Sequence, residues 1–168
     1  MKSQQASALA IGIGAVAGLR PMMACAVIAV AVERGWIRGG NSPLARIISA
    51  SASKRIGKLA IAELIADKLP FTPSRLRVAS LGSRAISGAV CGAAILNTRK
   101  GTVAKGALFG GLTAIAAAVA SYWARRKLRC DLPDFAVALL EDSIAAGGGL
   151  VVVALAAAAD EHLDQVER

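Results

Sequence analysis

The feature that most constrains this chain is the length of its uncharged apolar runs: from Gly106 to Ala124 there is no charged side chain at all. About 20 mainly apolar helical residues cover the roughly 30 Å of a bilayer's hydrocarbon core, whereas a soluble helix of that length would show a polar face. Three further segments meet the same test. Ala6 to Val32 is interrupted only by Arg20, Val78 to Thr98 only by Arg84, and Phe135 to Ala159 carries only Glu141 and Asp142. An all-α, polytopic transmembrane bundle is therefore expected, with spans at 6–32, 78–98, 106–124 and 135–159. A signal peptide cleaved near Ala15-Val16-Ala17 would leave the second apolar half, Met22 to Val32, without a purpose, so a retained first span is preferred.

Composition supports this reading. The 168 residues suffice for a single domain, 1–168; they are 55% hydrophobic, 4% aromatic and 18% charged, with mean hydropathy +0.56. A soluble domain runs at roughly 45–50% apolar and about 25% charged. Here Ala, Gly and Val carry the hydrophobicity, as in closely packed helices of little bulk. Disorder, collagen and a disulfide scaffold are excluded on the same grounds. The formal net charge of +9 invites a nucleic-acid reading, but no aromatic platform or basic recognition helix accompanies it, so no nucleic-acid partner is expected. Cys25, Cys91 and Cys130 are odd in number, far apart and without a CxxC, which reads as small packing residues. The single histidine, His162, sits in a charged tail. Without a Ser–His pair, a paired-Asp site or a metal cluster, neither an enzyme, a cofactor nor a metal site is expected.

Segment 44–70 decides the topology. Its second half, Ile56 to Leu69, has a helical apolar pattern, but Lys54, Arg55 and Lys58 fall where a bilayer centre would be. Read as a re-entrant or amphipathic helix, it leaves four crossings. Arg34, Arg38, Arg46, Lys54, Arg55, Lys58, Lys68, Arg75, Arg77, Arg125, Arg126, Lys127 and Arg129 then share one side, and Lys2, Arg99, Lys100, Lys105 and Arg168 the other. Read as a fifth span, it divides these charges nearly evenly. The positive-inside rule favours four crossings, with both termini outside the cytoplasm and anionic lipid headgroups at the basic loops.

Glycine spacing predicts how the spans pack. Gly14 and Gly18, Gly88 and Gly92, and Gly106 and Gly110 each form a GxxxG pair within a span, which lets two helix backbones approach closely. The partner helices belong to the same chain or to a second copy in a homo-oligomer.

The informative residues are those that lipid disfavours. Arg20 and Arg84 fall mid-span, Glu63 and Asp67 lie four apart on one helix face, and Glu141 and Asp142 stand near the start of the last span. Each charge at mid-bilayer costs roughly 2.5–3.5 kcal/mol on insertion scales, so each must be paired or face a wet cavity. Two outcomes fit. Arg20 and Arg84 pair permanently with Glu63 and Glu141, or the set lines a site for an anion or a coupled proton. Pro21, Pro70 and Gly147-Gly148-Gly149 are candidate helix breaks of the kind transporters place at substrate sites, with close packing the plainer reading of the triple glycine. A faint repeat, an arginine span followed by a carboxylate helix, occurs at Arg20 with Glu63 and again at Arg84 with Glu141.

Gly18-Leu19-Arg20-Pro21, Glu63-Leu64-Ile65-Ala66-Asp67-Lys68-Leu69-Pro70 and Leu140-Glu141-Asp142 together resemble the family called domain of unknown function 4126, small bacterial integral membrane proteins. The resemblance runs from the first span to the last. It departs from the family at Arg84-Ala85, where an Arg-Pro is expected, and in the charge around Lys54 to Lys58. It implies a bacterial inner-membrane helical protein and supplies no activity. A small transporter, flippase or permeation unit is the leading functional expectation; a structural or accessory membrane protein with permanently paired charges is the alternative.

Overall fold

A computed structural model describes residues 3–36, 57–58, 78–97, 103–128 and 133–166. Among these the ordered elements are five helices: α1 (Ser3–Leu19), α2 (Pro21–Glu33), α3 (Val78–Asn97), α4 (Val103–Leu128) and α5 (Asp134–Val166). The re-entrant or amphipathic segment 44–70, with Glu63, Asp67 and Pro70, lies outside the described residues apart from Gly57 and Lys58, as does Cys130.

The segment 6–32 is one apolar run but two helices. Arg20 is extended, at φ −141° and ψ 95°, and separates α1 from α2. The cause is local: proline disfavours the helical region for the residue before it, and its own missing N–H cannot continue the α1 ladder. Pro21 then sits in the first turn of α2, where that N–H is not needed. Arg20 still donates its N–H to Val16 O at 2.8 Å and accepts from Ala24 N at 3.2 Å, so only the direction of the chain is broken. At the other end α2 closes in a Schellman motif. Gly35, at φ 71°, donates to Val32 O at 3.1 Å, and Trp36 N donates to Ala31 O at 2.9 Å.

Of the two readings of Gly147-Gly148-Gly149, a helix break and close packing, α5 shows the second, running unbroken through it. Each glycine costs a helix only about 1 kcal/mol relative to alanine, and two of the three face a neighbour closely. A Cβ at Gly149 would stand 3.2 Å from Val27 Cγ2, and one at Gly148 3.5 Å from Val16 Cγ2. Glycine there admits a neighbouring helix.

Two helices are long and apolar enough to cross a membrane, Val103–Leu128 and the Asp134–Ala159 part of α5. The helices Gln4–Leu19, Pro21–Glu33 and Ser80–Leu96 are apolar but shorter.

The distribution of bulk explains how the bundle holds together. The buried stripe of α4 is Gly106, Gly110, Ala114, Ala118 and Ser121, all small. It lies against the glycines of α3 and α1. A Cβ on Gly88 or Gly92 would run into the backbone of Gly110 or Gly106, and one on Gly14 or Gly18 into that of Gly110 or Ala114. The six glycines thus meet in one seam of direct backbone contact. The opposite stripe of α4, Leu108, Leu112, Ile115, Val119 and Trp123, is exposed, as are Phe135, Leu139, Leu140, Ile144, Leu150, Val151 and Leu155 on α5. On α4, small residues inside and large apolar residues outside invert the arrangement of a water-soluble helix.

Candidate functional site

The break between α1 and α2 gathers polar groups from three parts of the chain. Arg20, 1% exposed, is the largest fully buried side chain among the described residues. Its guanidinium forms an ion pair with the carboxylate of Asp142 on α5. Arg84 on α3, also buried, donates through Nη1 to the carbonyl oxygens of Gly18 and of Leu19, the latter at 2.8 Å, and its Nε lies 3.4 Å from Ser80 Oγ. A helix end leaves its last carbonyls without intrahelical donors, and a buried carbonyl left so costs free energy of hydrogen-bond size. Arg84 answers that demand at the C-terminus of α1. One turn further along α3, Ser87 donates to Pro21 O at 2.6 Å. Next to it the Cys25 thiol lies 3.2 Å from Ser87 Oγ and 3.7 Å from Cys91 Sγ. The two cysteines are packing residues on a polar strip that starts at the break.

Glu141 belongs to a second constellation. It accepts from Ser121 Oγ at 2.8 Å and, in a two-pronged contact, from Arg125 Nε at 2.9 Å and Nη2 at 2.6 Å. Planar guanidinium and planar carboxylate match in this fork, which makes it a strong, oriented pair. Ser121 and Arg125 lie four apart, one turn, and extend the buried small stripe of α4 into a polar end. The sequence offers Arg20 and Arg84 as partners for Glu141, and the structure adds a third arginine. Its partner in this fork is Arg125, which charge counting places among flanking basic residues. The signal that points to Arg125 is helical register: it continues the stripe Gly106, Gly110, Ala114, Ala118, Ser121.

Of the sequence-predicted residues, Arg20, Pro21, Arg84 and Asp142 meet at the break, and Glu141 stands apart beside α4. Gly14, Gly18, Gly88, Gly92, Gly106 and Gly110 form the seam next to it. Gly147, Gly148 and Gly149 lie within α5. Sequence reading missed Ser87, Ser121 and Arg125. Chemically, the break presents two guanidinium groups, a carboxylate and the N-terminus of α2, whose first-turn N–H groups favour negative charge.

A family model described as Domain of unknown function (DUF4126) matches residues 7–160. No curated protein and no solved structure matches the chain.

Proposed function

The chain belongs to the DUF4126 family, and since that membership carries no assigned activity, we propose from the geometry that it is a multi-span membrane protein serving as a small transport or permeation unit for an anionic solute. One observation carries the reading: the discontinuous first helix at Arg20-Pro21, with Arg20, Arg84 and Asp142 converging on it. Broken helices with their N-termini aimed at anionic groups are the device by which helical transporters hold substrate at mid-membrane depth. In this reading the chain crosses a bacterial inner membrane four times, with α1 and α2 together making the first crossing and both termini outside the cytoplasm. Tyr122 and Trp123, 5.9 Å apart edge to face, and Arg126, 5.7 Å over the Trp123 ring, suit the interfacial end of α4. The exposed apolar faces of α4 and α5 suit lipid or a second copy of the chain.

A second reading is favoured by the way Arg84 caps α1 and Arg125 closes on Glu141: these charges are structural, and the protein is an accessory or scaffold in the membrane.

Cys25, one turn past the break and half-buried, separates the two. In a Cys91→Ala/Cys130→Ala background, thiosulfonate reagents bearing a sulfonate or an ammonium are applied to the protein in sealed vesicles. Transport expects modification of Cys25, faster by the anionic reagent. A folded protein whose Cys25 ignores both reagents reverses the order of the two readings.

A further inference from the structure

Between α2 and α5, away from the charged break, lies a groove of about 180 Å³ lined by Ala26, Val27, Val30, Trp36, Leu150 and Val153. On α2 its lining runs from Ala26 to Val30, which at 1.5 Å per helical residue is about 6 Å, and Trp36 closes one end. The lining is apolar throughout, and Leu150, more than half exposed, forms its outer rim. The Schellman closure of α2 builds one end: Gly35 turns the chain back, so that Trp36 and Val30 line the same groove. There Arg34, exposed, holds its guanidinium 5.1 Å over the Trp36 ring. An indole and a guanidinium at the end of an apolar groove are complementary to one kind of ligand, an acyl chain joined to an anionic headgroup.

We propose that this groove is a binding site for an anionic phospholipid, its acyl chain between α2 and α5 and its phosphate at Arg34. The proposal rests on the membrane-spanning reading above and is independent of whether the break transports anything. Trp36 reports on its own site. The chain has two tryptophans, so Trp123→Phe leaves Trp36 as the only indole to excite. The Trp123→Phe protein is reconstituted into phosphatidylcholine vesicles doped, at the same mole fraction, with acyl-brominated phosphatidylglycerol or acyl-brominated phosphatidylcholine, and quenching of Trp36 is followed.

The expected result is an apparent association about fivefold tighter for the glycerol lipid, the preference that one basic residue near a headgroup confers. Arg34→Gln, at an exposed position, removes that preference, and Ala26→Phe, which fills the groove, weakens quenching by both lipids. Equal quenching by the two lipids shows annular contact alone and overturns the proposal, as does a preference that survives Arg34→Gln. Absence of quenching in protein that floats with the vesicles overturns it too. Protein that fails to float with vesicles at all overturns the membrane reading itself, and the groove with it.

Discussion

Successive residues of an α-helix point about 100° apart, which is how Glu141 and Asp142 come to serve different arginines. Asp142 faces the broken helix and Arg20, while Glu141 faces α4 and takes the fork of Arg125 with a third bond from Ser121. Both carboxylates are buried, so removing a charge from either side breaks a buried ion pair. We expect Asp142→Asn to destabilise the protein by about 3–5 kcal/mol, the cost of breaking a buried ion pair by removing one partner. The Arg20→Gln/Asp142→Asn double variant should cost less than the sum of the single changes, with a coupling of about 0.5–3 kcal/mol. Denaturation of the four proteins in one mild detergent measures this cycle, and additive costs would show that the two groups do not depend on each other. Neither assignment of the two carboxylates can be read from sequence spacing, since both partners lie on other helices. What the sequence does show is that arginine and carboxylate occur together in apolar runs and that each needs a partner.

Within an element, glycine has opposite meanings according to what stands opposite it. Gly110 lies where a Cβ would strike the backbone of Gly88, whereas nothing lies within 4 Å of a Cβ placed on Gly147. Both are in helix interiors, where alanine is intrinsically better by about 1 kcal/mol. Gly110→Ala should therefore lower the thermal midpoint, because α3 and α4 must separate, and Gly147→Ala should raise it or leave it unchanged. A thermal scan of the two variants beside the parent decides the matter, and a loss at position 147 equal to that at 110 would refute the seam. The GxxxG spacing made this seam legible: it marks a helix face with no side chains, and three such faces have few ways to meet other than against each other. The triple glycine was less legible. Spacing alone does not distinguish an unwound segment from a close approach, and here Val16 and Val27 supply the approach at Gly148 and Gly149. The reverse holds at Arg20-Pro21, where the pre-proline restriction acts locally and turns one expected span into two helices.

For the molecule as a whole, the outward placement of bulk sets its solvent. Leu108, Leu112, Ile115, Val119 and Trp123 run down the outside of α4 at helical spacing, while its inward stripe is glycine, alanine and serine. Contiguous apolar faces of this extent mark a surface that meets lipid or another protein. The protein is expected in the membrane fraction after alkaline carbonate extraction and in solution only with detergent. Recovery in the carbonate supernatant as a monomer would contradict both the proposed spans and the proposed groove.

The extended residue at position 20 also has a mechanical meaning. The α1 half is locked by main-chain contact with α4 at Gly14 and Gly18, where even one added carbon has no room. Beyond the break, α2 has Val27 opposite Gly149 and an open groove beside it, and is held to α3 at Pro21 and Cys25. Any tilt of α2 relative to α1 must therefore pivot on one peptide unit whose side chain is tethered to α5 through Asp142. The apolar run 6–32 is in effect two posts set end to end, with the ion pair as a brace from the joint to α5.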